Sequence, residues 1–179
     1  MKLVILDRDG VINQDSDAYI KSPEEWIPLP GSVDAIARLN HAGWTVAIAT
    51  NQSGVARGLF DLTTLDRIHQ RMRDYLAAGG ARIDAIAFCP HAPEAACQCR
   101  KPQPGLLQSL AQRFHTNLIN VPMIGDSWRD VEAAMTVKAN PLLVLTGKGG
   151  ITEKTHRAQL NDVTVIADLR AAVDLLINE

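Results

Sequence analysis

The chain has 179 residues, 46% of them hydrophobic, and a formal net charge of −2 at pH 7. That length suits one domain with a core of its own, spanning residues 1–179, and the weak charge, with no long basic run, excludes a nucleic-acid or anionic-membrane surface as the main business. No apolar run approaches the ~20 residues of a membrane helix, and the opening "MKLVILDRDG" meets charges too early for a signal peptide, so a cytoplasmic protein with reduced thiols is expected.

Taken in chain order, short runs rich in Val, Ile and Leu alternate with segments of helical period. Leu3–Leu6 predicts the first strand and Ser32–Ala42 the first helix. Trp44–Thr50 predicts a second strand. Thr63–Ala78 follows as a helix whose apolar residues Leu65, Ile68, Met72, Tyr75 and Leu76 recur on one face. Further strands are expected at Ile83–Cys89, Val121–Asp126 and Pro141–Gly147, and further helices at Pro104–Phe114, Arg129–Lys138 and Asp168–Ile177. Runs apolar on both faces suit the buried strands of a parallel sheet. The alternation predicts a Rossmann-like, doubly wound α/β fold with helices on both faces. In such a sheet ligands bind outside the carboxyl ends of the strands. The polar residues there are Asp7 and Asp9, then Thr50-Asn51-Gln52-Ser53, then a Cys/His loop, then Asp126-Ser127.

Asp7 and Asp9 in "DRDG" are two apart at a strand end, where i and i+2 point the same way, so both carboxylates can face one site. Two acids so placed repel unless a cation lies between them, which points to a hard divalent ion such as Mg²⁺. Gly10 allows a sharp turn after the strand. "TNQSG" (Thr50–Gly54) offers a hydroxyl and successive backbone amides to phosphate oxygens. "RKP" offers Lys101, and "GDSWRD" adds Asp126 and Asp130. Two rival phosphate motifs fail. "TGKGG" resembles the end of a P-loop, but Leu142 stands where its first Gly belongs and Gly149 replaces the Ser or Thr after the lysine; no G-x-G-x-x-G follows a strand.

In this order the set is highly specific. Along nearly its whole length the chain resembles the haloacid dehalogenase-like superfamily of phosphohydrolases. The resemblance implies that Asp7 is the nucleophile that forms an aspartyl-phosphate. It implies that Asp9 is the general acid and then the base that activates water. Mg²⁺ would sit on the Asp7 carboxylate, the Asp9 main-chain carbonyl and Asp126, with Thr50 and Lys101 holding the phosphoryl oxygens. For Asp130 two readings stand: a water-mediated contact to the ion, or an anchor for Lys101.

All three cysteines fall in one stretch, "CPHAPEAACQCRKP" (residues 89–102). Cys89, His91, Cys97 and Cys99 supply three thiolates and an imidazole, the ligand set of a closed, structural Zn²⁺ site. With no open position such an ion does no chemistry; it fixes a loop that runs directly into Arg100 and Lys101. Reduced thiols make a disulfide the weaker reading, a short loop of free thiols is the plain alternative, and C-x-C lacks the C-x-x-C spacing of a redox site.

"DRDGVIN", "TNQSGVARG", the C-x-H…C-x-C-R-K-P loop, "GDS…D" and "TGKG" together narrow the resemblance to the D-glycero-D-manno-heptose 1,7-bisphosphate 7-phosphatase family. The family lacks a large cap domain, and about 40 residues between Asp9 and Thr50 leave no room for one. It implies a small sugar-phosphate substrate, a role in nucleotide-heptose supply for lipopolysaccharide or related glycans, and no nucleic-acid or membrane partner. A monomer is the default. Specificity then comes from loops: Asn13, Asp15 and Tyr19 in the first, Asn51, Gln52, Ser53 and Arg57 in the second, Arg100 in the third. Arg100 suits the remote phosphate of a bisphosphate; Arg57 is equally readable as an ordinary surface arginine. The chain departs from the pattern in a short His91–Cys97 spacing and in Ser127-Trp128, where some relatives carry a lysine after the aspartate. The anomer accepted therefore stays open, as does whether Trp128 lines the pocket or packs on a helix start. His41, His69, His115 and His156 are placed on helix surfaces or in a loop, without a catalytic role. Histidinol-phosphate phosphatase shares the core and a comparable zinc loop, and Asp15 and Asp17 keep that alternative open. A zinc-stabilised binding module without catalysis is opposed by the intact Asp7, Asp9, Thr50, Lys101 and Asp126.

Overall fold

A computed structural model describes residues 1–178. Its strands are β1 (Lys2–Leu6), β2 (Trp44–Asn51), β3 (Ala85–Cys89), β4 (Pro122–Gly125), β5 (Asn140–Val144) and β6 (Thr164–Ile166). They pair in the order β3-β2-β1-β4-β5-β6, every neighbour parallel. The helices are α1 (Ser32–His41), α2 (Leu62–Ala78), α3 (Gly105–Arg113), α4 (Trp128–Thr136), α5 (Gly149–Thr155) and α6 (Leu169–Asn178). The doubly wound parallel sheet expected from the sequence is the observed one.

Successive strand residues face opposite sides, and this alternation divides the core. Val4 and Leu6 of β1 join Val46 and Ile48 of β2, with Ile36 and Leu39 of α1, Ile68 and Met72 of α2, and Val173 of α6. Leu3 and Ile5 face the other side, with Ala47, Ala49 and Met123, under Leu106, Leu107 and Leu110 of α3 and Ala133 and Ala134 of α4. The alanines on that second face let α3 and α4 lie close against the sheet. The segment between β1 and α1 holds one short 3₁₀ turn at Pro23–Glu25 and buries Ile20 and Trp26 in the first core. It builds no cap domain.

Two elements escape the sequence pattern. β6 is only three residues long with an exposed first residue, too short for a distinct apolar run. α5 starts with two glycines, which read as a loop. A side chain on Gly149 would run into the Val144 carbonyl, so the helix approaches the end of β5 through glycine alone. In α2 the inner face carries Leu65, Ile68, His69, Met72 and Leu76. Tyr75, expected there, falls on the rim of the stripe, where its ring meets Trp26 edge-on at 5.7 Å, and His69 takes the inner place. α2 is capped by Asp61, which accepts from the Thr64 N–H at 2.7 Å.

Met72 is fully buried and ties α2 to the sheet. Replacing it by alanine should cost about 2–5 kcal/mol, read as a lower urea midpoint with an unchanged slope.

Candidate active site

The strand order reverses between β1 and β4, and the crevice beyond their carboxyl ends is where an open parallel sheet binds ligands. The Asp7 N–H donates to the Ile124 carbonyl at 2.8 Å, which docks the chain leaving β1 against β4. Gly10, at φ +80°, is the point where the chain turns away, and a side chain there would strike the Asp126 carboxylate. Asp7, Asp126 and Asp130 offer carboxylate oxygens within 4.8 Å of one another.

Lys101 is buried among them, 1% exposed. Its ammonium donates to Asp130 Oδ1 at 2.6 Å and the Ala49 carbonyl at 2.7 Å, and lies 3.1 Å from Asp7 Oδ1. An ammonium has three protons, so all are engaged. Burial works against the charge, but Asp130 and Asp7 outweigh it and hold Lys101 above its usual pKa. The Asp130 Oδ2 accepts from the Ser127 N–H at 3.0 Å and hydroxyl at 2.7 Å, closing the capping box that starts α4. With both oxygens occupied, Asp130 sits as the anchor of Lys101. Asn51 fixes the lysine from the other side: its Oδ1 accepts the Lys101 N–H and its Nδ2 donates to the Lys101 carbonyl, each at 3.0 Å.

Burial pushes Asp7 up to about 7, with the Asp130 charge adding and Lys101 opposing. Burial likewise pushes Asp126 up to about 8, with Asp130 and Asp7 adding. Two buried carboxyls, each raised by burial and by the Asp130 charge beside them, are donors that fit a hard divalent cation. Oδ1 of Asp7 takes both the Arg8 N–H, at 2.7 Å, and Lys101. Asp126 accepts the Lys148 N–H at 2.7 Å on Oδ2.

Asp9 does not turn its carboxylate into this acidic group. Arg8, with no exposure, grips it through Nε and Nη2 at 3.0–3.1 Å. Asn13 Nδ2 donates to it at 2.8 Å and Gln52 Nε2 at 2.9 Å. Burial works against the charge, yet Arg8 and the two amides hold the carboxyl below its usual value. The expected cation between Asp7 and Asp9 is thus supplied in part by the chain's own Arg8 and Lys101. Arg8 in turn meets His69 Nε2 at 3.2 Å. Burial first, and Arg8 next, draw His69 down to about 3, so it is neutral and accepts from the guanidinium. His69, expected on a helix surface, is instead buried beneath the site.

Two cavities open here. A small one, about 80 Å³, is bounded by Asp7, Thr50, Lys101, Asp126 and Asp130. A wider one, about 330 Å³, adjoins it and is lined by Asp15, Tyr19, Asn51, Gln52, Ser53, Arg57 and Arg100, together with Arg129 and Lys148. Of the expected substrate contacts, Asn13 alone stands apart: it is fully buried, borders neither cavity, and spends its amide on Asp9. Gln52 also donates to Thr50 Oγ1 at 2.9 Å, which leaves the threonine hydroxyl proton free to donate.

The Cys/His loop brings its four ligands together. Cys89 Sγ lies 3.1 Å from Cys99 Sγ, 3.6 Å from Cys97 Sγ and 3.5 Å from His91 Nδ1, and Cys99 Sγ is 3.5 Å from Cys97 Sγ. Ligands on one tetrahedral zinc stand about 3.5–3.8 Å apart; all of these separations but the shorter Cys89–Cys99 one match, so the residues are of the type and grouping that such an ion takes. Burial, with the Cys99 thiol adding, pushes Cys89 up to about 12. Cys97 is drawn down to about 6, because the Arg100 N–H and the neighbouring thiols outweigh its burial. Arg100 reaches back to the His91 carbonyl at 3.3 Å.

Comparison with known proteins agrees with this geometry. A family model described as polynucleotide kinase 3 phosphatase matches residues 2–128, and one described as HAD-hydrolase-like matches residues 98–172. The D-glycero-beta-D-manno-heptose-1,7-bisphosphate 7-phosphatase of Pseudomonas putida is 54% identical over 97% of both chains. That of Bordetella bronchiseptica is 52% identical, covering 100% of this chain and 99% of the relative. The chain belongs to this phosphatase family. The crystal structure of the Bordetella bronchiseptica enzyme, complexed with magnesium and phosphate, superposes with a TM-score of 0.94 over 99% of each chain. The protein is accordingly a phosphoric monoester hydrolase of the haloacid dehalogenase-like class.

For a member of this family, the residues that sequence reasoning missed are cations. Arg8 lies between the two aspartates on the strand's opposite face, and nothing local says that its side chain folds back on Asp9. Lys148 sits in the "TGKG" turn, which reads as a failed P-loop and as a family motif but not as a source of a site cation. Its ammonium meets Asp15 at 3.3 Å and Asp17 at 3.2 Å. Arg129 borders both cavities. Trp128 packs at the start of α4, stacked on His156 at 4.8 Å, and borders neither cavity.

Asp7 and Asp126 keep protons in the folded chain where the unfolded chain has lost them, so folding without a divalent ion loses stability as pH rises from about 4 toward about 8. Asp9, depressed, acts the other way in a lower window, its contribution disappearing as pH falls below about 4. Mg²⁺ should therefore raise the melting temperature more at pH 8 than at pH 5. Equal shifts at both pH values would remove this carboxylate pair as the ion's site.

Proposed function

We propose that the protein removes the 7-phosphate of D-glycero-β-D-manno-heptose 1,7-bisphosphate, releasing inorganic phosphate in the supply of ADP-heptose for the lipopolysaccharide core. The observation that carries this reading is the junction of the two cavities. A small one with the nucleophile, hydroxyl and lysine of phosphoryl transfer opens into a wider one walled by arginines. A single phosphate needs only the first. The names of the relatives supply the sugar. The whole chain is read as one cytoplasmic, monomeric hydrolase domain.

In this proposal the Asp7 carboxylate attacks phosphorus, forms the aspartyl-phosphate and breaks the bond to the sugar oxygen. Both protein contacts to Asp7 fall on Oδ1, so Oδ2 is the oxygen open to attack. Lys101 gives up its Asp7 contact to a phosphoryl oxygen as the carboxylate loses its charge, while the Ala49 and Asp130 contacts keep the ammonium in place. The Thr50 hydroxyl donates to a second phosphoryl oxygen. Asp9 gives its proton to the leaving oxygen, then takes one from the water that cleaves the acyl phosphate and returns Asp7 to its starting form. The Arg8, Asn13 and Gln52 cradle holds Asp9 in its ionised form, the form required for the second half. In the first half the incoming phosphate's charge offsets Arg8 and favours the protonated acid.

Mg²⁺, held by the Asp7 and Asp126 carboxylates with the Asp9 carbonyl, offsets phosphate charge when bound. Cys89, His91, Cys97 and Cys99 would hold Zn²⁺, which would keep rigid the loop that presents Arg100 and Lys101.

Asp7→Asn and Asp9→Asn should each reduce turnover at least ~1000-fold, a size set by the loss of a nucleophile or an acid–base group, while melting cooperatively; substantial residual phosphate release in either would refute its assigned role. Removing zinc from the folded protein should lower both melting temperature and kcat, and a chelated protein with full activity would leave the loop without need of a metal. The deciding assay is phosphate release from both heptose bisphosphate anomers and from histidinol phosphate, with Mg²⁺ present. A higher kcat/KM for the β anomer is expected, and preference for either other substrate would replace the β-heptose bisphosphate as the substrate.

A further inference from the structure

Three arginines, Arg57, Arg100 and Arg129, border the wider cavity, and none forms a salt bridge among the described residues. Arg129 is the one whose position is hardest to explain by folding. It is the second residue of α4, where unpaired backbone N–H groups favour an anion and disfavour a cation. Its charge therefore does nothing for the helix. It lies outside the buried core, so it fills no core space.

The backbones of Arg100 and Arg129 are held in register. Arg100 precedes Lys101 and Arg129 precedes Asp130, and Lys101 and Asp130 form the buried ion pair at 2.6 Å. The backbones of both arginines therefore stand one residue from the buried pair that positions the lysine for the reacting phosphate. Both side chains border the wider cavity and also a third one behind Arg100. A pair of guanidinium groups with fixed backbones and no counter-ion among the described residues is a receptor for a dianion that arrives with the substrate.

We propose that Arg129 and Arg100 together grip the remote phosphate of the substrate, which makes Arg129 a specificity-determining residue for bisphosphates over monophosphates. This rests on the sugar-bisphosphate reading above. The test compares heptose 1,7-bisphosphate with heptose 7-phosphate and reads the ratio of their kcat/KM values in the wild type, Arg129→Met and Arg129→Lys. In Arg129→Met the ratio should fall about 10- to 100-fold, the loss of one charge-assisted, two-point contact, and Arg129→Lys should recover part of it. A ratio unchanged in Arg129→Met, whether both substrates lose equally or neither does, overturns the assignment and leaves the bisphosphate reading standing. A wild-type ratio near one removes the bisphosphate reading itself, and this assignment with it. Melting curves confirm that both variants are folded.

Discussion

A lysine ammonium with 1% exposure is the constraint around which the rest is arranged. A charge taken out of water is tolerated only with partners on every side, and Lys101 has them in Asp130, Asp7 and the Ala49 carbonyl. Each partner comes from a different strand end. Asp7 follows β1, Ala49 lies within β2, and Asp130 is held by the helix that follows β4. The sheet must bring these ends together before the ammonium can be buried. Bringing them together also builds a site whose floor is acidic and whose buried lysine is fixed.

The lysine's own loop has no regular structure to hold it. Asn51 compensates by clamping both backbone groups of Lys101, and the Cys/His group gathers the preceding residues against the end of β3. Loops are the mobile part of a fold, whereas phosphoryl transfer depends on groups already in position. Amide clamp and Cys/His group answer the same requirement from two sides. Gly10, Gly125, Gly147 and Gly149 contribute by absence, since a side chain at any of them would displace Asp126, Asp130 or the end of β5.

Charge is then sorted by depth. The aspartates and Lys101 lie at the floor, Arg8 and His69 lie beneath Asp9, and Arg57, Arg100 and Arg129 stand at the rim of the wider cavity. Asp15 and Asp17 temper that rim through Lys148. A substrate with two phosphates can meet this layout at both ends, one phosphate at the floor and one at the rim.

The sequence alone determined the alternation of strand and helix, because runs apolar on both faces suit only a covered parallel sheet. It put Asp7, Thr50 and Asp126 at or near strand ends in a fixed order, with Lys101 in the loop that follows β3. It brought together the four residues of the Cys/His loop, which are close in the chain. Whatever depends on side chains meeting across long separations came only from the tertiary structure. The Arg8 guanidinium meeting a neutral His69 beneath Asp9 is one case, and Asn51 clamping the Lys101 backbone from across the site is another. Asn13, expected at the substrate, is buried behind Asp9 for the same reason: periodicity tells which face a residue occupies, but not which partner satisfies it there. Arg129 was invisible as a site residue because a charged residue at a helix start reads as surface. Only the packing of α4 against the lysine loop, through one buried ion pair, puts it at the mouth of the site.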